Sequence, residues 1–141
     1  MAERYTSKDS IEPGDLVAVD PTDSRGVLRA FGAYQSDLLG VVSTQPGFIA
    51  GAFTENSFPI ALAGRVPVNV TLDNGPIRKG DRLTSSTLSG YAMKALQRGR
   101  VVGFALDDSD ASTFRVCKKD PSKRCGQVMM FVNLRDWPGL E

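Results

Sequence analysis

The chain has 141 residues, a formal net charge of +1 and no histidine. That length buries about two thirds of the unfolded surface in one domain without help from metal or disulfides, and Lys and Arg spread along a near-neutral chain give no basic face to attract nucleic acid. The absence of histidine removes the usual general base, the Ser-His-Asp and Cys-His nucleophile pairs and the common zinc and non-haem iron ligand sets.

Apolar runs of a few residues recur along the chain, separated by Gly, Pro, Asn, Asp and Ser clusters, which is the pattern of an all-β sandwich or barrel. Strands are expected at 15–20, 26–31, 38–43, 58–63, 65–71, 81–84, 90–95, 99–107, 113–118 and 126–133. The stretch Tyr91 to Gln97 holds good helix formers, but Gly90 and Gly99 confine it to about two turns, so it is read as a strand. Pro67 cannot donate to a ladder and belongs at an edge or bulge. Asp73-Asn-Gly-Pro76 marks a turn, since Asn-Gly tolerates positive φ.

The grammar of the chain is duplicated. Ile11-Glu-Pro-Gly-Asp-Leu-Val17 is followed by Leu38-Leu-Gly-Val-Val-Ser43, and Ile77-Arg-Lys-Gly-Asp-Arg-Leu83 by Val101-Val-Gly-Phe-Ala-Leu106. The Gly-Asp pairs, Gly14-Asp15 and Gly80-Asp81, lie 66 positions apart, and the Gly-centred runs lie 63 apart. A repeat that holds register over such a length implies two copies of one fold unit. In each, glycine supplies a turn conformation other residues resist and aspartate hydrogen-bonds the turn's own amides. Between the first copy's strands, Gln45 to Ser57 reads as a long loop, and such loops in compact domains are usually functional or intersubunit. Phe48, Ile49, Phe53 and Phe58 make it apolar, so it is expected to be an arm covered by a neighbouring subunit.

Few residues offer chemistry. Cys117 and Cys125 flank the charged segment Lys118 to Arg124 between two expected strands; they either close a short disulfide or remain free thiols, and two cysteines alone are too few ligands for a metal. Ser89 and Lys94 could in principle form a Ser-Lys acyl-transfer pair. Residues five apart on a strand point to opposite faces, which favours a turn serine and a solvated lysine. Asp107-Asp-Ser-Asp110 offers hard oxygen ligands but lacks the alternate spacing and closing glutamate of a calcium loop, so it is read as a solvated turn. Asn69-Val-Thr71 fits the glycosylation pattern by chance in mid-strand. Gly-rich phosphate cradles are missing, and no catalytic residue, metal site or cofactor is expected.

The order Ala2-Glu-Arg-Tyr5, Glu12-Pro-Gly-Asp15, Leu39-Gly-Val-Val-Ser-Thr-Gln-Pro-Gly47, Pro59 to Val68, Asn74 to Asp81, Leu83-Thr-Ser-Ser86, Gly90 to Ala95, Val102-Gly-Phe-Ala-Leu106 and Val128 to Asn133 resembles a C-terminal module of long bacterial and phage fibre-like proteins. It is related in pattern to the self-cleaving domain of phage pre-neck appendage proteins. The resemblance implies a β-clip-like fold in a single domain over residues 1–141, cut from the C-terminal end of a longer fibre protein, with residues 1–10 as a linker to the shaft. It further implies a non-enzymatic head or cap that forms a homotrimer, ends an upstream fibre shaft, and presents loops to a cell-surface receptor, outside the cell or on a virion. Nucleic acid and membrane are not expected as partners: no apolar run approaches the roughly 20 residues of a spanning helix, and residues 1–20 carry charges where a signal peptide is apolar. The alternatives are a self-cleaving intramolecular chaperone domain and a trimeric capsid decoration protein. The acidic cleavage residues of self-cleaving relatives have no match here, so no catalytic role is transferred. The insert from Cys117 to Cys125 replaces a short turn and is expected to project from the head.

Overall fold

Turn-forming residues interrupt the apolar runs too often for a helix to propagate. The computed structural model, which describes residues 2–43, 57–109 and 112–140 and the backbone of 49–50, holds only strands and their connections over that span. The strands are β1 (Ala2–Ser7), β2 (Leu16–Val19), β3 (Gly26–Arg29), β4 (Leu38–Val42), β5 (Ile49–Ala50), β6 (Ser57–Ala61), β7 (Gly64–Thr71), β8 (Arg82–Ser85), β9 (Ala92–Lys94), β10 (Gly99–Ala105), β11 (Arg115–Val116) and β12 (Arg124–Trp137). The expected all-β fold is observed, and the Tyr91 to Gln97 stretch contributes strand β9.

The strands form two rings of the same connectivity. In the first, β3-β2-β4-β6-β1 runs round and closes through β1–β3; in the second, β9-β8-β10-β12-β7 closes through β7–β9. In each ring the closing pair is parallel and every other pair antiparallel. Register agrees residue by residue. Val17 opposes Gly40 as Leu83 opposes Gly103, and Val42 opposes Ile60 as Ala105 opposes Met130. These pairings carry the two sequence offsets, 66 for β2 against β8 and 63 for β4 against β10.

Period-2 alternation sends equivalent residues inward. Val17, Val27, Val42 and Ile60 form a cluster in the first unit, with Tyr5, Leu39, Phe58 and Leu62 packed against it. Their counterparts Leu83, Ala92 and Met130 belong to a larger cluster that also takes in Leu16, Ala30, Leu38, Val41 and Ala61 from the first unit. The two units therefore share a core.

Residues 1–10 differ from expectation. Instead of a linker, residues 2–7 form β1, which pairs with β6 over Ala2 to Thr6 and with β3 at Thr6 and Ser7. Its sequence, Ala-Glu-Arg-Tyr-Thr-Ser, has little apolar alternation, because its backbone pairs on both sides while most of its side chains stay half-exposed. The segment expected as an arm is also shorter than proposed: Phe58 lies on β6 and packs on its own chain's cluster, and Ile49 lies on β5, which runs parallel to β1. Phe48 and Phe53 lie outside the described residues. Pro67 opposes Met129 of β12, and β9 meets β7 only at Val70, so the proline stretch has a single partner strand.

Candidate functional site

The two Gly-Asp turns are built alike. Gly14 and Gly80 have φ of 89° and 92°, the left-handed region that glycine enters without steric cost. Asp15 N donates to Glu12 O and Asp81 N to Arg78 O; Gly14 N donates to Val42 O and Gly80 N to Ala105 O. The Asp15 carboxylate accepts from Glu12 N at 3.0 Å and that of Asp81 from Arg78 N at 2.8 Å. A cation on the third strand of each unit completes the motif: Arg29 lies 3.4 Å from Asp15 and Lys94 lies 3.5 Å from Asp81. Sequence spacing found the turns but not these cations, which are brought in by strand pairing.

What differs is the cover. Asp15 is buried where the units meet, and Asn69 Nδ2 donates to it at 3.2 Å. Asn69 N donates to Gly14 O, Leu16 N to Gly90 O, and Gly90 N to Ala30 O. The loop before β4 adds a second tie. Tyr34, held at φ 56°, accepts from Leu96 N at 2.8 Å and Gln97 N at 3.1 Å through its hydroxyl, while Ser85 donates to Gly32 O. Tyr34, Asn69 and Gly90 join the units and escape sequence reading, since each acts through contacts more than twenty positions away. The equivalent second-unit turn stays open. A 220 Å³ hollow lies there, lined by Gly80, Asp81, Arg82, Lys94, Ala95, Trp137 and Leu140.

A 520 Å³ open groove follows the seam, with Glu12, Asn69, Tyr91, Arg115, Lys118 and Gln127 among its lining residues. Gln127 donates to Asn69 across it at 2.8 Å. Burial, then the charges of Asp15 and Glu12, raise the Tyr91 phenol above its ordinary value. One wall is the segment closed by a Cys117–Cys125 disulfide, with Cα atoms 5.0 Å apart. This segment folds back where a projecting hairpin was expected: Lys119 lies over the Tyr91 ring and donates to Ser89 O, and Lys123 pairs with Asp73 at 2.8 Å. Cross-linking across a separation of eight residues restricts the unfolded chain, so Cys117→Ser with Cys125→Ser is expected to lower the unfolding free energy by about 2 to 3 kcal/mol. Urea melts of the oxidised protein and the double variant measure this.

The remaining candidates have structural partners. Lys94 directs its ammonium to Asp81, not to Ser89. Asp108 accepts from Lys79 N at 2.8 Å and Ser109 exchanges hydrogen bonds with Ile77, so this loop latches the second Gly-Asp turn; Asp110 is outside the described residues. Among the described residues no three metal-ligating side chains cluster.

No family model and no curated protein matches the sequence. Among solved structures, the chain is similar to the C-terminal fragment of gene product 12 of bacteriophage phi29. The TM-score is 0.62 at 15% identity, over 94% of this chain and 99% of that one. The two share an all-β fold along nearly their whole lengths.

Proposed function

We propose that the chain is a non-enzymatic head domain that trimerises and terminates a fibre on a virion or cell surface. The observation that carries this reading is the end-to-end fold similarity to the C-terminal fragment of a phage protein, and it agrees with the sequence resemblance to C-terminal fibre modules. The closed rings suit such a role. A repeating shaft ends in open strand edges that invite aggregation, and a unit whose strands pair on both sides closes that end. The seam groove and its disulfide-closed wall are surfaces on which such a head would present a binding face.

The parent protein, expressed with its upstream part, tests the reading by intact mass and light scattering. The expected result is one uncut chain in a particle of three chain masses. Two fragments, restored to a single chain by Ser89→Ala or Lys94→Met, would establish the self-cleaving alternative. A monomer at micromolar concentration would remove the trimer.

A further inference from the structure

The duplication makes each surface of one unit comparable with its counterpart in the other. In the first unit, Leu16 opposes Val41, Val41 opposes Ala61, and Ala61 opposes Ala2, forming one outward row across four strands. All four are buried; Leu16, Val41 and Ala61 join the core cluster shared with the second unit, and β4 lies against β10 and β12. The row is thus an interface inside the chain.

The same row in the second unit reads Arg82, Phe104, Phe131, Arg65. Among the described residues no third unit covers it. Phe131 is 38% exposed, and its ring stacks on Phe104 with centroids 5.5 Å apart, while the Arg82 guanidinium lies 5.3 Å from the Phe104 centroid. The next outward row adds Pro67 opposite Met129, with Leu106 N donating to Met129 O. A contiguous, partly exposed patch of two phenylalanines, methionine, leucine and proline rimmed by arginines has the composition of a protein interface.

We infer that this outer face of the second unit is the contact between copies of the chain, a step that rests on the trimeric head proposed above. Its first-unit counterpart is already covered by a unit of this fold, and the next such unit belongs to another copy. The second unit receives the first through Asn69 N and the Gly90 carbonyl; at the equivalent place in the first unit, Thr6 N donates to Arg25 O and closes the socket. With the first-unit socket closed and the second-unit groups already bonded to Gly14 and Leu16 of their own chain, the covering contact does not repeat between copies. Second units meet face to face instead, with the Phe131 rings gathered at the axis and arginines lying over them as cation–π partners. A net charge of +1 opposes this association only weakly.

The experiment is light scattering on the wild type, Phe131→Asp and Arg65→Glu at one concentration, with thermal melts to verify folding, and oxidative footprinting of Met129 on the wild type over a dilution series. The expected result is a wild-type trimer, a folded monomeric Phe131→Asp, an Arg65→Glu assembly weakened at least about tenfold, and Met129 protected only in the assembled state. Should Phe131→Asp fail to fold, the exposed Arg65→Glu and the wild-type footprint decide. Trimers in both variants, with Met129 equally reactive at every concentration, overturn this face and leave the head reading intact. A wild-type monomer throughout overturns both the face and the trimer.

Discussion

Replacing Gly103 with alanine is expected to destabilise the protein by about 3 kcal/mol or more, and Gly40→Ala by a similar amount. A Cβ on Gly103 would overlap the Phe131 carbonyl oxygen and crowd Val132 Cα, and one on Gly40 would overlap the Ala61 carbonyl oxygen. In both units the obstacle is the backbone of the neighbouring antiparallel strand, which cannot rotate aside as a side chain can. Gly80→Ala is the control: its φ is +92° but nothing lies within 4 Å of the added carbon, so only conformational strain of about 1 kcal/mol applies. Urea melts of the three variants rank the effects. Equal losses at Gly80 and Gly103 would show that backbone conformation, not strand approach, governs these positions.

These glycines also show what the sequence made legible. The Gly-centred runs and the Gly-Asp pairs announced a duplication, and the pairing of Val17 with Gly40 and of Leu83 with Gly103 places both signals in one register. Strand positions in the interior were readable because inward apolar residues alternate with turn chemistry. β1 was not, because a strand paired on both edges but half-exposed needs no apolar stripe. The second-unit outer row was equally hidden: Arg82, Phe104, Phe131 and Arg65 come from four strands and become neighbours only through pairing. Likewise the cations Arg29 and Lys94 reach their aspartates across the fold, so that spacing locates each turn without its counter-charge.

The two aspartates are expected to differ in worth despite their equivalent turns. Asp15→Ala should cost about 3 kcal/mol or more, because removing the buried carboxylate strips the charge partner of the Arg29 guanidinium, which is left with its bond to the Ser10 carbonyl, and the acceptor of two further donors. Arg29 would lose its carboxylate, Asn69 Nδ2 its acceptor and Glu12 N its turn partner, all at the junction of the two units. At Asp81 the same turn bond and a lysine pair are present, but the Asp81 and Lys94 side chains are each about a quarter exposed, at 24% and 26%. Water replaces what is lost there, so Asp81→Ala should cost about 1 kcal/mol or less. Asp15→Asn should fall between the two, since an amide oxygen still accepts from the turn but no longer balances Arg29. Chemical denaturation of the three variants measures the difference, and burial at the unit junction is its cause: if Asp81→Ala matched Asp15→Ala, the open second-unit turn would have to be covered in solution. Such an outcome in the assembled protein, and its disappearance in monomeric Phe131→Asp, would place a neighbouring copy over Gly80 and Asp81 as well as over the phenylalanines.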